Sequence, residues 1–305
     1  MFKNLTIARF SGLPSIGEAE ALAQAIQFAP TQPTQQRCVG FVPPREANGA
    51  LIEAQAGHWI MAMQIETRAV PPATLKKRVE EMAAAIERDT GHKPGKKTRR
   101  DLKDQAMQEL LPKAFPKSKR VLVWLDTATG LLAVDTASSG VFDTVTMLLA
   151  TAFTTGQHQQ LTLSPVHTTA SPAGCMAAWL LNEPPLAFTI DRECELKSAD
   201  ELKSVVRYAR HPLDTDEVRQ HIEAGKRPTK LAMTWRGRAS FVLTGDMVLR
   251  KAELLDEAVV AATREEQADA FDADVAIFTG AARELLADLI DALGGEVEPL
   301  EGGAA

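Results

Sequence analysis

At 305 residues, 45% hydrophobic and 24% charged, the chain has the composition of a folded globular protein with a large core and two or three structural units. No apolar run is long enough to span a bilayer, and Met1-Phe2-Lys3-Asn4-Leu5 lacks the apolar stretch and small-residue cleavage site of a secretory signal, so a cytosolic protein with no membrane partner is expected. The net charge of −6 is unevenly spread: Lys93 to Arg120 holds ten Lys or Arg against three acids, +7 in all, which leaves −13 for the rest.

Leu5 to Phe10, apolar at Leu5, Ile7 and Phe10, predicts a first strand. Glu18 to Phe28 places Ala21, Leu22, Ala25 and Ile26 on one face and predicts a helix. Trp59 to Ile65 is rich in β-formers and predicts a strand, ended by Pro71-Pro72. A helix is then expected from Thr74, as its N-cap, to about Arg88. Gly91, Pro94 and Gly95 break the chain, and a second helix from about Thr98 to Leu111 stops at Pro112. Two helices joined by a short Gly/Pro loop predict a helical hairpin that projects from a sheet, with the basic cluster on its loop and second helix.

Arg120 to Leu125 and Leu131 to Val134 flank Asp126-Thr-Ala-Thr-Gly130 and predict a β-hairpin, followed by a helix from Ser139 to Thr155. Beyond Leu161 only short β-like pieces are legible. Val218 to Ala224 has the form of a helix end closed by Gly225. Lys230 to Arg236, Ala239 to Thr244 and Met247 to Lys251 predict a meander with turns at Gly237 and Gly245-Asp246. A last helix, Ala281 to Leu293, ends at Gly294-Gly295. Glu253 to Glu301 carries 14 acids and two Arg, so this end is expected to face away from a polyanion.

A basic segment on an acidic protein attracts a polyanion to one place and repels it elsewhere. Nucleic acid is the natural candidate, because Lys and Arg displace its condensed counterions. The alternative is a solvated helix face. The residues expected to meet phosphate are Lys93, Lys96, Lys97, Arg99, Arg100, Lys103, Lys113, Lys117 and Lys119, with Lys76 and Lys77 on the preceding helix.

Catalytic motifs are missing. Gly91-His-Lys-Pro-Gly95-Lys-Lys-Thr98 has three residues between its glycines where a phosphate loop needs four, and an extra Lys before its Thr. Cys38, Cys175 and Cys194 form no CxxC, and the six histidines no HExxH, so neither a disulfide framework nor a zinc site is expected. Asp272 and Asp274 would share one face of a strand and could hold a divalent metal; the plainer reading is a surface acid pair. No cofactor and no enzymatic activity are expected. A metal-dependent nuclease using Asp272 and Asp274, or a cytosolic protein-binding scaffold, are the alternatives to a DNA-binding protein.

Several phrases, taken in order, resemble the RdgC family of bacterial recombination-associated proteins. They are Met1-Phe-Lys-Asn-Leu5, Phe41-Val-Pro-Pro44, Leu110-Leu-Pro-Lys-Ala-Phe115 and Trp124-Leu-Asp-Thr-Ala-Thr-Gly130 with Leu131-Leu-Ala-Val-Asp-Thr-Ala-Ser138. Later come His221-Ile-Glu-Ala-Gly-Lys226, Thr229-Lys-Leu-Ala232 with Trp235, Phe271-Asp-Ala-Asp274 with Thr279-Gly280, and Leu293-Gly-Gly295. The resemblance implies a non-enzymatic protein that encircles double-stranded DNA as a homodimeric ring, with little sequence preference, in the cytoplasm at the nucleoid. It also implies restraint of RecA-mediated recombination, by contact with RecA or by competition for DNA.

The resemblance further implies an α+β fold with mixed sheets, the projecting helical hairpin as its tip, and central, tip and base parts. These fall at 1–73 with 118–165 returning to it, at 74–117, and at 166–305. Its tip contact falls on Phe115, which from the residues alone could equally be core. Its second contact falls on Arg210 and His211, where many members have Lys and Gln. Ala281 and Ala282 also depart from the pattern, standing where an acidic residue is expected.

Overall fold

The computed structural model describes residues 2–45, 49–154, 161–198, 203–255 and 270–297. One twelve-stranded sheet runs through it, ordered β2-β4-β5-β6-β1-β12-β11-β10-β8-β9, with β3 on β4 and β7 on β1. The strands are β1 (Asn4–Ser11), β2 (Arg37–Val42), β3 (Ile52–Gln55), β4 (His58–Arg68), β5 (Pro116–Asp126) and β6 (Leu131–Val134). They continue as β7 (Thr162–Pro165), β8 (Phe188–Lys197), β9 (Val205–Ala209), β10 (Arg227–Trp235), β11 (Ala239–Thr244) and β12 (Val248–Leu254). The fold is α+β as expected, but the mixed sheets are not found. Every ladder among the described residues is antiparallel, and the parallel contact is an isolated bridge, Gln27 to Phe41.

β1 is the seam. It pairs with β6 through Thr6–Arg9 on one edge. Its other edge is shared by β12 at Asn4–Thr6 and β7 at Ala8–Ser11. The meander β10-β11-β12 is thereby joined to β4-β5-β6 as one sheet.

The helices are α1 (Ile16–Ala25), α2 (Pro72–Thr90), α3 (Lys96–Leu110), α4 (Ser139–Ala152), α5 (Pro172–Leu181), α6 (Asp216–Glu223) and α7 (Ala270–Ala292). α1 starts on a capping box in which Ser15 and Glu18 exchange hydrogen bonds. α2 starts earlier than expected. Pro72 takes its first turn, where a missing N–H costs nothing, and Thr74 is not the cap. Thr155, the expected end of α4, lies outside the described residues, as do 256–269 and 298–301 of the acidic run.

β4, the second half of β5 (Val121–Asp126) and β6 are buried on both faces, so their sequences are nearly continuous in apolar residues rather than alternating. Met61, Met63, Val123, Leu125, Leu132 and Val134 point into a core closed by α1 and α4. Ile60, Trp124, Leu131 and Ala133 point the other way, into a core shared with α5, α6 and α7. Full burial of a side chain of this size is worth about 2–3 kcal/mol relative to exposure.

Two further expectations are corrected. The segment after β7 is not only β-like: it contains α5. Met176, Ala177, Trp179 and Leu180 of that helix are all buried, and an apolar run without a polar face carries no helical period. Its start was nevertheless legible, because Ser171 accepts from the Gly174 amide and Pro172 follows as the first helical residue.

The last helix begins at Ala270, not Ala281, because Phe271, Val275, Phe278, Ala282, Leu285 and Leu289 repeat every three or four residues against the sheet. Phe278 stacks on Phe2 at 4.6 Å and meets the edge of Trp124 at 6.0 Å.

Candidate nucleic-acid interface

The basic window does not lie on one loop and one helix. Lys93 precedes α3; Lys96, Lys97, Arg99, Arg100 and Lys103 lie on α3. Lys113 sits in a single 3-10 turn, Leu111–Lys113, and Lys117, Lys119 and Arg120 belong to β5. The chain leaves the sheet after Arg68 and returns at Pro116, and these two residues face each other in the β4–β5 ladder. α2 and α3 lie within that excursion and pack together. Arg78, near the start of α2, donates to Glu109, near the end of α3, at 2.9 and 3.0 Å.

Lys96, Arg100 and Lys103 share one stripe of α3, at i, i+4 and i+7, while Leu102 and Ala106 are buried on the neighbouring face. Gly95 caps the helix without a side-chain acceptor, so the first-turn amides and the positive end of the helix dipole add to the same field. All eleven expected phosphate-contacting residues are exposed. Lys76 pairs with Glu80 at 3.9 Å and Lys113 with Glu109 at 3.8 Å, both weak surface pairs. Among the described residues, Lys77, Lys93, Lys96, Lys97, Arg99, Arg100, Lys103, Lys117 and Lys119 have no acidic partner.

On β5, Lys117 and Lys119 continue the side-chain row of Val121 and Val123 beyond the core, and Arg120 points the opposite way. Arg120 is structural: it donates to the carbonyls of Pro43 and Pro44 at 2.7 and 2.6 Å. β5 pairs with β4 along its whole length but with β6 only from Val123 onward, so among the described residues its basic first half is an open strand edge. Like charges there oppose pairing with another copy of the same strand.

Phe115 is 90% exposed, which removes the core reading. It stands between the 3-10 turn and β5, directly before Pro116. A polar cluster lies beneath it. Arg68 donates to the Ala114 carbonyl at 2.9 Å and to Thr31 Oγ1 at 3.0 Å. Glu66 accepts from the Thr31 amide at 2.8 Å, from the Thr31 hydroxyl at 2.5 Å and from Ser118 at 3.0 Å. The Thr31 bonds hold the Glu66 carboxyl below the usual carboxylate range against the opposing effect of burial. The sequence carried no motif for this cluster, because its members come from three distant segments.

Arg210 and His211 lie together in the connection from β9, the last strand of the sheet, to α6. Both are exposed, and Arg210 holds a left-handed backbone with φ of +57°. The His211 amide donates to the Arg192 carbonyl at 3.2 Å. Its Nδ1 lies 2.6 Å from the Pro212 carbonyl, which can only accept, so Nδ1 carries a proton and Nε2 faces away from that bond.

The acid pair behaves differently from its expectation. Phe271 to Asp274 lies near the start of α7, and residues two apart on a helix diverge, so Asp272 and Asp274 do not share a face. Asp272 accepts from Arg45 at 3.4 Å, and Asp274 lines an apolar groove of about 690 Å³ beside Phe278 and Leu285. No cluster of three or more His, Cys, Asp or Glu able to hold a metal occurs among the described residues. No helix there is long and apolar enough to cross a membrane.

Comparison with known proteins finds similarity along nearly the whole chain. The family model described as "Putative exonuclease, RdgC" matches residues 1–296. Proteins named recombination-associated protein RdgC are similar throughout. The one from Cupriavidus pinatubonensis is 38% identical over 97% of this chain and 98% of its own length. The one from Cupriavidus necator is 39% identical over the same shares. That of Janthinobacterium sp. (strain Marseille) is 36% identical over 97% of this chain and 99% of its own.

Proposed function

Because the chain belongs to the RdgC family, we propose that it binds double-stranded DNA without sequence preference, closes around it as a homodimeric ring and so restrains RecA-mediated recombination. The observation that carries this is the row of exposed, acid-free Lys and Arg on α3 and the open edge of β5, in a protein of net charge −6. Phosphate contacts supply non-specific affinity, and the surrounding negative charge keeps DNA from the rest of the surface.

In this reading α2 and α3 are a projecting hairpin, the tip (74–117), and residues 1–73 with 118–165 are the central part. Residues 166–305 are the base. Phe115 is an aromatic anchor for tip-to-tip contact with a second copy, and Arg210 with His211 forms the second contact that closes the ring. An exposed Phe flanked by lysines favours this role, since buried aromatic anchors dominate interface energetics. The protein acts in the cytoplasm, on the nucleoid, and limits RecA by contact or by occupying DNA.

Affinity measured against salt on linear and covalently closed circular DNA, with the oligomeric state, tests the proposal. The expected result is a steep fall of log affinity with log salt, near −0.9 per phosphate neutralised, and slower release from closed circles than from linear DNA. A flat salt dependence, or strong preference for one sequence of equal length, would reject it. The family description names an exonuclease, so the same DNA is incubated with Mg²⁺ or Mn²⁺. Cleavage abolished by Asp272→Asn would overturn the choice of binding over catalysis.

A further inference from the structure

We infer that Arg68 is a positioning residue that fixes Phe115 for contact with a second copy of this chain; the inference rests on the proposed tip role of Phe115. The side chain of Phe115 touches little of its own protein, so nothing around the ring orients it. Its backbone is held instead. On one side, the Ala114 carbonyl takes the Arg68 Nη1 hydrogen bond at 2.9 Å. On the other, Pro116 faces Arg68 across the β4–β5 ladder. Pro116 also confines Phe115 to extended backbone angles.

The guanidinium is aimed from behind. Its Nε donates to Thr31 Oγ1 at 3.0 Å, and its Nη2 approaches the Thr31 carbonyl at 3.5 Å. Thr31 is in turn locked by its two bonds to the buried Glu66 carboxylate, which also takes the Ser118 hydroxyl. Three segments, Thr31 before β2, Glu66–Arg68 on β4 and Ala114–Ser118 leading into β5, are thus tied at the root of the excursion. A rigid fork reaching two acceptors in fixed directions is what Arg provides and Lys does not. A side chain presented on a fixed backbone loses less freedom when it meets its partner, which slows dissociation without adding a contact.

The test is dissociation from covalently closed circular DNA by wild type, Arg68→Met, Arg68→Lys, Thr31→Val and Phe115→Ala, with each Arg68 change also made beside Phe115→Ala. Arg68→Met and Arg68→Lys should each release the circle roughly three- to tenfold faster, the loss expected from one charge-assisted hydrogen bond. Arg68→Lys keeps the charge and a partial bond set, so it keeps the test alive if the Met variant folds poorly. Thr31→Val removes the Nε acceptor and leaves the charge in place, and it should act in the same direction.

In the Phe115→Ala background the Arg68 changes should add nothing, and the salt slope of affinity should stay unchanged throughout. The inference is overturned by equal acceleration with and without Phe115, by an Arg68→Lys protein that behaves as wild type, or by a salt slope lowered by about one, the mark of a phosphate contact. If Phe115→Ala itself leaves release unchanged, the tip reading fails first, and that result is distinct from all three.

Discussion

Arg283 on α7 grips Asp126 at the end of β5 through two hydrogen bonds, Nε to Oδ2 at 2.5 Å and Nη2 to Oδ1 at 2.7 Å, across 157 residues of sequence. Asp126 is 0% exposed, while the Arg283 side chain keeps 38% of its surface in water. Burial pushes the Asp126 carboxyl up. Hydrogen bonds from Arg283, Thr129 and the Ala128 amide, with the Arg283 charge, outweigh that and leave it below the usual range. The pair fastens the C-terminal helix to the strand that carries Lys117 and Lys119.

The two halves of this pair are unequal, and so are the expected costs of removing them. Arg283→Met strands a fully buried carboxylate and should cost about 3–5 kcal/mol in urea unfolding. Asp126→Asn leaves a guanidinium that can turn to water, and should cost only about 1–2 kcal/mol. The reverse order would show that Arg283, not Asp126, bears the desolvation.

Acid should weaken the fold in two stages. Trp124 Nε1 donates to His58 Nδ1 at 3.1 Å, so that nitrogen is unprotonated. Burial, then the Arg283 charge, hold the imidazole below its ordinary 6.5. The unfolded chain therefore binds this proton more readily than the folded one, and stability falls as pH drops below about 6.5. Glu195 follows. Burial opposes its ionisation, but bonds from Thr229, Lys230 and Arg207 bring it from 4.5 down to about 2, so its contribution is present above 4.5 and lost towards 2. Unfolding free energy measured against pH should show both slopes. His58→Gln, which can still accept from Trp124, should abolish only the first; persistence of that slope in the variant would assign it elsewhere.

Gly40 has no room for a side chain. A Cβ there would lie 2.5 Å from Phe28 Cα and 2.6 Å from Phe28 N. The close approach lets Phe28 and Phe41 bond across the bridge, Phe28 N to Phe41 O at 2.9 Å and Phe41 N to Ile26 O at 3.0 Å. Gly40→Ala should therefore cost about 1–3 kcal/mol, because backbone must move. A calorimetric melt equal to wild type would show that the 26–28 segment shifts freely.

Replacing Lys96, Lys97, Arg99 and Arg100 together by Ala should lower the salt slope of DNA binding by about one per lost phosphate contact. Stability should change by no more than about 0.5 kcal/mol, since all four are exposed and none has an acidic partner among the described residues. Unchanged affinity in filter binding at low salt would reduce the basic stripe of α3 to a solvated face.

The sequence by itself determined the local structure and the charge. Gly91 ends α2 with φ of +72°, the meander β10-β11-β12 turns at Gly237, and the excess of Lys and Arg from 93 to 120 needs no coordinates to be counted. These are legible because they depend on a residue and its near neighbours. Only the tertiary structure decided that Phe115 is exposed, since Phe is as often buried, and that α7 begins eleven residues before Ala281, since its apolar stripe has meaning only against Phe2 and Trp124. It alone put Lys117 and Lys119 on a strand edge and Asp272 and Asp274 on diverging faces of a helix. Arg68, Thr31 and Glu66, or Asp126 and Arg283, become a unit only where antiparallel pairing and helix docking bring distant segments within hydrogen-bonding reach. No spacing along one chain encodes that distance.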